Sequence, residues 1–250
     1  MTTYKGWRND NFSVPNNIYV GGSLFSSILD VPYQQVKIVA KSGAPYSTIT
    51  AAQTAITDNS SSKIYTVLVF PGEYDEALTL KDYVNIIAID QFNTYILRQV
   101  TDNGVPVHCN LKINIDNRQN DSTEGLYLTA ASVIHIEGNV KGGSPSTVTY
   151  GHGIYNASTG TVTVSNGNIM GGSGIGVVDG CGIYNASTGM VIASNVNIIG
   201  TPGSPTGFGI HNASTGIVAV SNSNIKSYDN PIRGGNVTLI NCTLFSTGNE

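Results

Sequence analysis

Formal charge is scarce in this chain. Lys and Arg number 12, Asp and Glu 16, so 11% of the 250 residues are charged and the net charge is −4. Globular chains usually carry about a quarter charged residues. With no basic stripe to neutralise a phosphate backbone, the sequence argues against a nucleic-acid partner. Long apolar runs are also missing: nothing approaches the ~18 consecutive apolar residues of a membrane-spanning helix. Pro numbers only 9 against 40% apolar residues, which argues against a disordered low-complexity chain. Cys109, Cys181 and Cys242 stand 72 and 61 residues apart with no CxxC. That spacing builds neither a disulfide framework nor a zinc site, and free, mostly buried thiols fit synthesis in a reducing cytoplasm. The opening MTTYKGWRNDNFSVP has no apolar stretch of the Sec-signal kind. The expectation is cytoplasmic synthesis without a signal peptide.

Four small residues are in excess. Gly (29), Asn (26), Ser (24) and Thr (24) together make 103 of 250 residues. They are poor helix formers and good turn and strand-edge residues, so a helix bundle is excluded. Eight Asn-x-Ser/Thr triplets, from Asn11 to Asn241, follow from this composition. Without a secretion signal they are not expected to carry glycans.

Internal repetition is the strongest signal. GIYNASTG occurs at 153–160 and 182–189, and GIHNASTG at 209–216, giving periods of 29 and 27. Each is followed by a second unit: VTVSNGNI at 162–169, VIASNVNI at 191–198 and VAVSNSNI at 218–225. A degenerate copy, GLYLTAAS then VIHIEGNV, fills 125–140, and a shortened one, VTLINCTL, fills 237–244. Each repeat holds two or three short apolar strands between Gly, Asn and Ser turns, with no helical spacing. A propeller blade needs ~40–45 residues, whereas a three-strand coil needs somewhat under thirty. The period therefore predicts an all-β parallel β-helix, right-handed as parallel crossovers are. Coils stack about 4.8 Å apart, so Asn156, Asn185 and Asn212 are expected to form an amide ladder and Ile154, Ile183 and Ile210 to stack inside. Tyr127, Tyr155, Tyr184 and His211 follow inward aliphatic residues and so point outward. That aromatic column suits sugar rings or a neighbouring subunit; it also suits a ladder that stabilises its own surface.

Upstream, Ile49, Ala52 and Ile56 have helical spacing behind Ser47 or Thr48 as N-cap. A short helix here would cover the open end of the first coil. Strands are expected at Tyr65–Phe70, Ala77–Leu80, Val84–Ile89 and Leu111–Ile115. Residues 1–35 carry Tyr4, Trp7, Phe12, Tyr19 and Phe25 without a period and read as an arm or attachment segment, leaving 36–250 for the β-helix. VAKSGAPYSTITAAQTAI at 39–56 followed by YTVLVFPGEYDEALTLKDYVNIIAID at 65–90 resembles the opening of the pectin lyase-like superfamily, especially its pectinesterase branch. Pro71-Gly72-Glu73-Tyr74 and Glu76 are the specific part. The resemblance implies a right-handed parallel β-helix, in a superfamily of carbohydrate-acting enzymes and of phage or viral tail spikes and adhesins. The GNVDFIFG, NTDG and WIDH elements of its pectinesterases, polygalacturonases and pectate lyases are absent, so no catalytic residue is carried over.

Between residues 151 and 226 the formal charges are Asp179 and Lys226, too few for paired-carboxylate chemistry. Earlier coils are richer. Aligning Ile87/Ile89, Ile113/Ile115, Ile134/Ile136 and Val162/Val164 as inward pairs puts Asp90, Asp116 and Glu137 in one column, continued by Ser165, Ser194 and Ser221. Three stacked carboxylates would repel, raising a pKa or recruiting a hard cation such as calcium; no other cofactor is expected. Arg118 is placed to pair with a neighbouring acid or a sugar carboxylate. The plainer reading is a row of solvated acids capping turns, in a register off by one. His152 and His211 lack acids at ligand spacing, and no metal is expected on them. With the superfamily's tail spikes and adhesins in view, the first expectation is a non-enzymatic structural or adhesion module of a virion or phage tail-type fibre, assembled into a virion or a cell-surface structure after cytoplasmic synthesis. It would contact glycans or other subunits as a homo-oligomer, and the resemblance suggests a trimer. The alternative is a carbohydrate-active enzyme of pectinesterase, polysaccharide lyase or glycoside hydrolase type, with Asp90, Asp116, Glu137 and Arg118 as candidates. The last coil should leave Leu239, Leu244 and Phe245 near an open end.

Overall fold

The computed structural model describes residues 35–118, 124–143, 151–172, 180–201, 207–228 and 230–246 in full, with two short strands, Tyr19–Val20 and Ser23–Leu24, before them. Those two pair antiparallel; the rest of the expected arm lies outside the described residues. From Val36 onward the described strands pair in parallel with strands one coil away, and the chain is an all-β parallel β-helix. Each full coil has three strands, the architecture the N-terminal resemblance implies.

The first sheet runs from Val36–Val39 through Tyr65–Val69, Val84–Ala88, His108–Lys112 and Val133–Glu137 into the leading halves of Thr161–Met170 and Met190–Ile199, then Ile217–Ser221 and Val237–Ile240. The second begins at Gly72–Tyr74, Thr94–Ile96, Asn114–Asp116 and Val140–Lys141, takes the trailing halves of the same two long strands, and ends with Asn224–Ser227 and Thr243–Ser246. The third stacks Leu78–Thr79, Val100–Thr101, Leu126–Leu128, Ile154–Asn156, Ile183–Asn185, Ile210–Asn212 and Ile232–Gly234. The expected strand Leu111–Ile115 is in fact two, because the chain turns a corner at Ile113.

Corners fall where the sequence can take a left-handed backbone. Asn166, Asn195, Asn222 and Asn241 follow the first-sheet strands with φ of 56°, 54°, 49° and 54°, a region Asn enters more readily than most side chains. One coil earlier Gly138 does this at φ 141°, where a Cβ would lie 2.6 Å from the Ile113 carbonyl oxygen. Between corners the alternation sends one residue in two to the interior. Ile154, Ile183 and Ile210 are fully buried and stacked in register, as are Val162, Val191 and Val218.

The helix forms at Ile49–Thr54 with Thr48 as N-cap, its hydroxyl accepting from the Ala51 N–H at 3.1 Å. Ile49, Ala52 and Ile56 lie against the first coils. Glu76 reaches over from the strand set: its carboxylate accepts from the Ile49 and Thr50 N–H groups at 2.7 and 2.9 Å, the sign a helix N-terminus favours. The two halves of the family-like opening therefore meet physically, with the motif acid holding the motif helix. At the other end Leu239 is half-buried, while Ile240, Leu244 and Phe245 are exposed.

The interior amide ladder is present. Asn156 Nδ2 donates to Asn185 Oδ1 at 3.0 Å, and Asn185 Nδ2 donates to Asn212 Oδ1 at 3.0 Å and to the Gly189 carbonyl at 3.1 Å. All three side chains are buried. Two coils earlier, a position the sequence did not single out holds a fully buried carboxylate, Asp102. It accepts from the N–H groups of Gly104, Thr129 and Ala130 and from the hydroxyls of Thr129 and Ser132, at 2.9–3.2 Å. Such a set of donors is what a buried carboxylate requires.

Asn185→Ala removes one rung and takes the ladder partner from the Asn156 Nδ2 donor and from the Asn212 Oδ1 acceptor. The expected cost is about 2 kcal/mol, or a fall in melting temperature of roughly 4–8 °C for a chain of this size. A thermal melt followed by circular dichroism reads it, and an unchanged midpoint would show that the rung contributes no stability.

Candidate functional site

The expected acidic column does not form. Glu137 ends a first-sheet strand, and its column reads Ile87, Lys112, Glu137, Ser165, Ser194 and Ser221. The serines fall where expected; Asp90 and Asp116 do not. Inward residues of the early coils are Val84, Ile86 and Leu111, and Ile113 and Ile115 lie beyond the corner on the next face. Asp90 sits at a corner and caps the one-turn helix Gln91–Asn93, accepting from the Phe92 N–H at 3.1 Å and from Asn93 Nδ2 at 2.7 Å. Glu137 is ion-paired with Lys112 at 3.2 Å. No group of three or more metal-ligating side chains occurs among the described residues, and the calcium expectation loses the geometry on which it was built.

Asp116 occupies the outer face of the second sheet, in a column continued by Lys141, Met170, Ile199, Lys226 and Phe245. There the structure assembles a cluster that sequence reading saw only in part. Arg118 Nε donates to Asp116 Oδ2 at 2.7 Å and Arg118 Nη1 donates to Glu73 Oε1 at 2.6 Å. Lys141 Nζ stands 3.4 Å from Asp116 Oδ1, and the guanidinium carbon lies 5.6 Å from the Tyr95 ring centre. Arg118 does pair with neighbouring acids, as expected, and both carboxylates push its pKa up, Asp116 more strongly. Asp116 is the most enclosed member, its side chain 20% exposed against 57% for Glu73. Glu73 was quoted only as part of the family-like motif; it lies 45 residues from Arg118 in sequence, and nothing local ties the two.

On the same face, flanking the Asp116 column, runs a second amide ladder. Asn139, Asn168, Asn197 and Asn224 each donate Nδ2 to the Oδ1 of the residue one coil before, starting from Asn114, at 2.8–3.0 Å. The sequence carried its signal in the repeated SN-x-NI, at 27- and 29-residue spacing. Between the two columns a trough of about 240 Å³ is lined by Asn168, Asn197, Ile199, Asn224, Lys226 and Phe245.

The aromatic column stands on the outer side of the third sheet, where Tyr127, Tyr155, Tyr184 and His211 are in register. Ring centres are 5.3, 5.1 and 4.7 Å apart, and Tyr155 and Tyr184 are parallel within 1°. Those two rings turn their faces to each other, so what they offer outward is edges and hydroxyls. Buried His152 stacks behind them, 4.7 Å from Tyr184 and 5.5 Å from Tyr155, and its Nδ1 accepts from the Cys181 N–H at 3.1 Å. Burial, with His211 adding to it, lowers the His152 pKa to about 3. Of the thiols, Cys109 and Cys181 are buried and Cys242 half-buried; burial pushes Cys109 up to about 12, far from a nucleophile.

His152 gives the fold a pH dependence of definite sign. Its folded pKa lies below the unfolded value, so between about pH 6.5 and 3 the unfolded chain binds a proton that the folded chain refuses. Stability is retained above this window and falls as pH drops through it. The loss of melting temperature between pH 7 and pH 4 should be smaller in His152→Asn, which keeps an acceptor and removes the titration. Equal losses in both proteins would remove His152 as a cause.

No protein-family profile and no curated protein sequence matches this chain. Among solved structures, the pectin methylesterase from Aspergillus niger in deglycosylated form is similar over 88% of this chain and 88% of that one, at 14% identity and a TM-score of 0.40.

Proposed function

We propose that this protein is a carbohydrate-active β-helix protein that acts on a polysaccharide at the outer face of the second sheet. The observation that carries the reading is the Glu73–Arg118–Asp116–Lys141 cluster beside Tyr95. Glu73 and Asp116 are bound to one guanidinium, and a pair of acids held near each other, roughly 5–10 Å apart, is what paired-carboxylate cleavage of a sugar linkage uses. Arg118 and Lys141 fix the acids and supply positive charge for an anionic substituent. Tyr95 forms an apolar wall of the kind a sugar ring packs on. The pectinesterase-like opening, which contributes Glu73 itself, supports the same reading.

A second reading has its own observation. The amide ladders, the stacked Tyr155 and Tyr184 and the ion pairs are bonded from coil to coil, which suits a self-supporting rod. In that reading the chain is a non-catalytic virion or tail-fibre module that meets glycans or other subunits through Tyr127, Tyr155, Tyr184 and His211. The trimer belongs to it, with the exposed Ile240, Leu244 and Phe245 of the last coil as contact residues. Light scattering at micromolar concentration should then find three 26.3 kDa chains together, and a stable monomer would remove the trimer.

Incubation with pectins and capsular polysaccharides, with reducing-end and methanol release as readouts, separates the readings. Turnover that falls at least a hundredfold in Asp116→Asn and in Glu73→Gln, at unchanged melting temperature, is expected from the first, since a positioned acid or base contributes about 10²–10⁴ in rate. Binding without turnover of any polymer would overturn it in favour of the second.

A further inference from the structure

Coil stacking sets two phenols of the third sheet face to face. Tyr155 and Tyr184 lie 29 residues apart in sequence and directly opposite each other in register, on strands Ile154–Asn156 and Ile183–Asn185. The residues on either side pin both strands: Ile154 and Ile183 are fully buried, and Asn156 Nδ2 donates to Asn185 Oδ1 at 3.0 Å. The two rings are parallel within 1°, with centres 5.1 Å apart. Behind them the buried ring of His152 stacks 5.5 Å from Tyr155 and 4.7 Å from Tyr184. It forms a floor that keeps both rings from turning inward. Both tyrosines are half-buried, and their edges and hydroxyls point to solvent.

A stacked pair of phenols has a chemistry that a lone tyrosine lacks. A one-electron oxidant takes an electron from each ring, and each hydroxyl proton leaves to water. The resulting phenoxyl radicals carry spin on the carbons ortho to oxygen. Two of those carbons join, one from each ring. Each coupled carbon then loses its hydrogen as a proton, each oxygen regains one, and both rings are aromatic again. In sum two C–H bonds break, one C–C bond forms, and two electrons and two protons leave, enough to reduce one hydrogen peroxide to two waters. Holding the partners together makes the coupling step unimolecular. The neighbouring contacts are less suited: Tyr127 is tilted by 51° against Tyr155 at 5.3 Å, and Tyr184 meets His211, not a phenol, on its other side. Cys109 and Cys181, which could intercept an oxidant, are buried.

We propose that Tyr155 and Tyr184 form an oxidative cross-linking site, at which a haem peroxidase with hydrogen peroxide joins two successive coils through a dityrosine bond. The site lies on the third sheet and uses no residue of the Glu73–Arg118–Asp116–Lys141 cluster, so it stands or falls apart from the carbohydrate reading.

Treatment of the whole protein with a haem peroxidase and hydrogen peroxide tests it. Dityrosine fluorescence should appear in single chains on a denaturing gel, at a rate per chain that does not change with protein concentration. Asp179 is the one acidic residue between the two tyrosines. Cleavage there after unfolding should leave the flanking fragments joined, with a mass two hydrogens below their sum. Tyr155→Phe and Tyr184→Phe keep the ring and remove the hydroxyl, and a melt checks their fold. Each should lower the dityrosine yield by about tenfold or more, whereas Tyr127→Phe should leave it unchanged. The cross-linked chain should also melt higher, because the bond closes a loop in the unfolded state. A lower midpoint would show that the stack must be distorted to couple, and would overturn the site. So would fluorescence that survives in both variants, fragments that separate after cleavage at Asp179, a product made chiefly of joined chains, or a yield lost in Tyr127→Phe and kept in Tyr184→Phe.

Discussion

Everything in this molecule depends on coil-to-coil stacking at about 4.8 Å. In a parallel coil the nearest neighbour of a residue is its counterpart one turn away, so whatever a side chain does must be compatible with a copy of itself above and below. That condition selects groups that bond to their own kind. An amide donates and accepts at once, which is why Asn recurs on the inner column Asn156–Asn185–Asn212 and on the outer column from Asn114 to Asn224. Aliphatic side chains stack inside for the same reason, and tyrosines stack outside. A charge cannot follow this rule, because a column of one sign repels itself. The low formal charge is therefore a consequence of the architecture.

The same condition says where charge can live. In the regular coils beyond Gly151, columns are mostly Asn, Ser, Thr, aliphatic and aromatic residues. In the earlier coils, where the repeat degenerates, columns mix residue types and opposite signs alternate: Lys112 beside Glu137, Asp116 beside Lys141. Asp102 belongs to this part too; it lies in the inner column and survives because turn N–H groups and hydroxyls, in place of a neighbour of its own kind, satisfy it. Chemistry that needs acids and bases is confined to these coils by electrostatics, and the Glu73–Arg118–Asp116 cluster is found there.

What the sequence made legible follows from that division. Where three copies of an octet repeat, register is fixed by identity, and the positions of Asn156, Asn185, Asn212, Tyr155, Tyr184 and the serine column could be read off. The capped helix was legible because its spacing and Thr48 are local. The acidic column was misread because the degenerate coils have no octet to align, and apolar runs such as Val84–Ile89 and Leu111–Ile115 fit more than one register. A one-residue slip sends every side chain to the other face, and the corner at Ile113 moved Asp116 to another sheet altogether. Glu73 with Arg118 depends on strands 45 residues apart, a distance over which no pattern in the chain speaks.

The N-terminal helix shows how the two halves of the molecule are joined in one logic. A stack of coils must end, and its first turn would leave apolar residues and strand edges without a neighbour. Here the end is closed by Ile49, Ala52 and Ile56, and the helix is held in place by Glu76, an acid from the strand set it covers. The carboxylate meets N–H groups that no residue inside the helix could satisfy, so cap and coil stabilise each other. The same motif places Glu73 three residues before the cap attachment at Glu76, where Arg118 meets it. The acid that holds the end cap and an acid of the charged cluster thus lie on one short stretch of chain, Gly72 to Glu76. A substitution at Glu76 therefore acts on the cap, whereas one at Glu73 leaves the hydrogen bonds that hold the helix in place and touches the cluster alone.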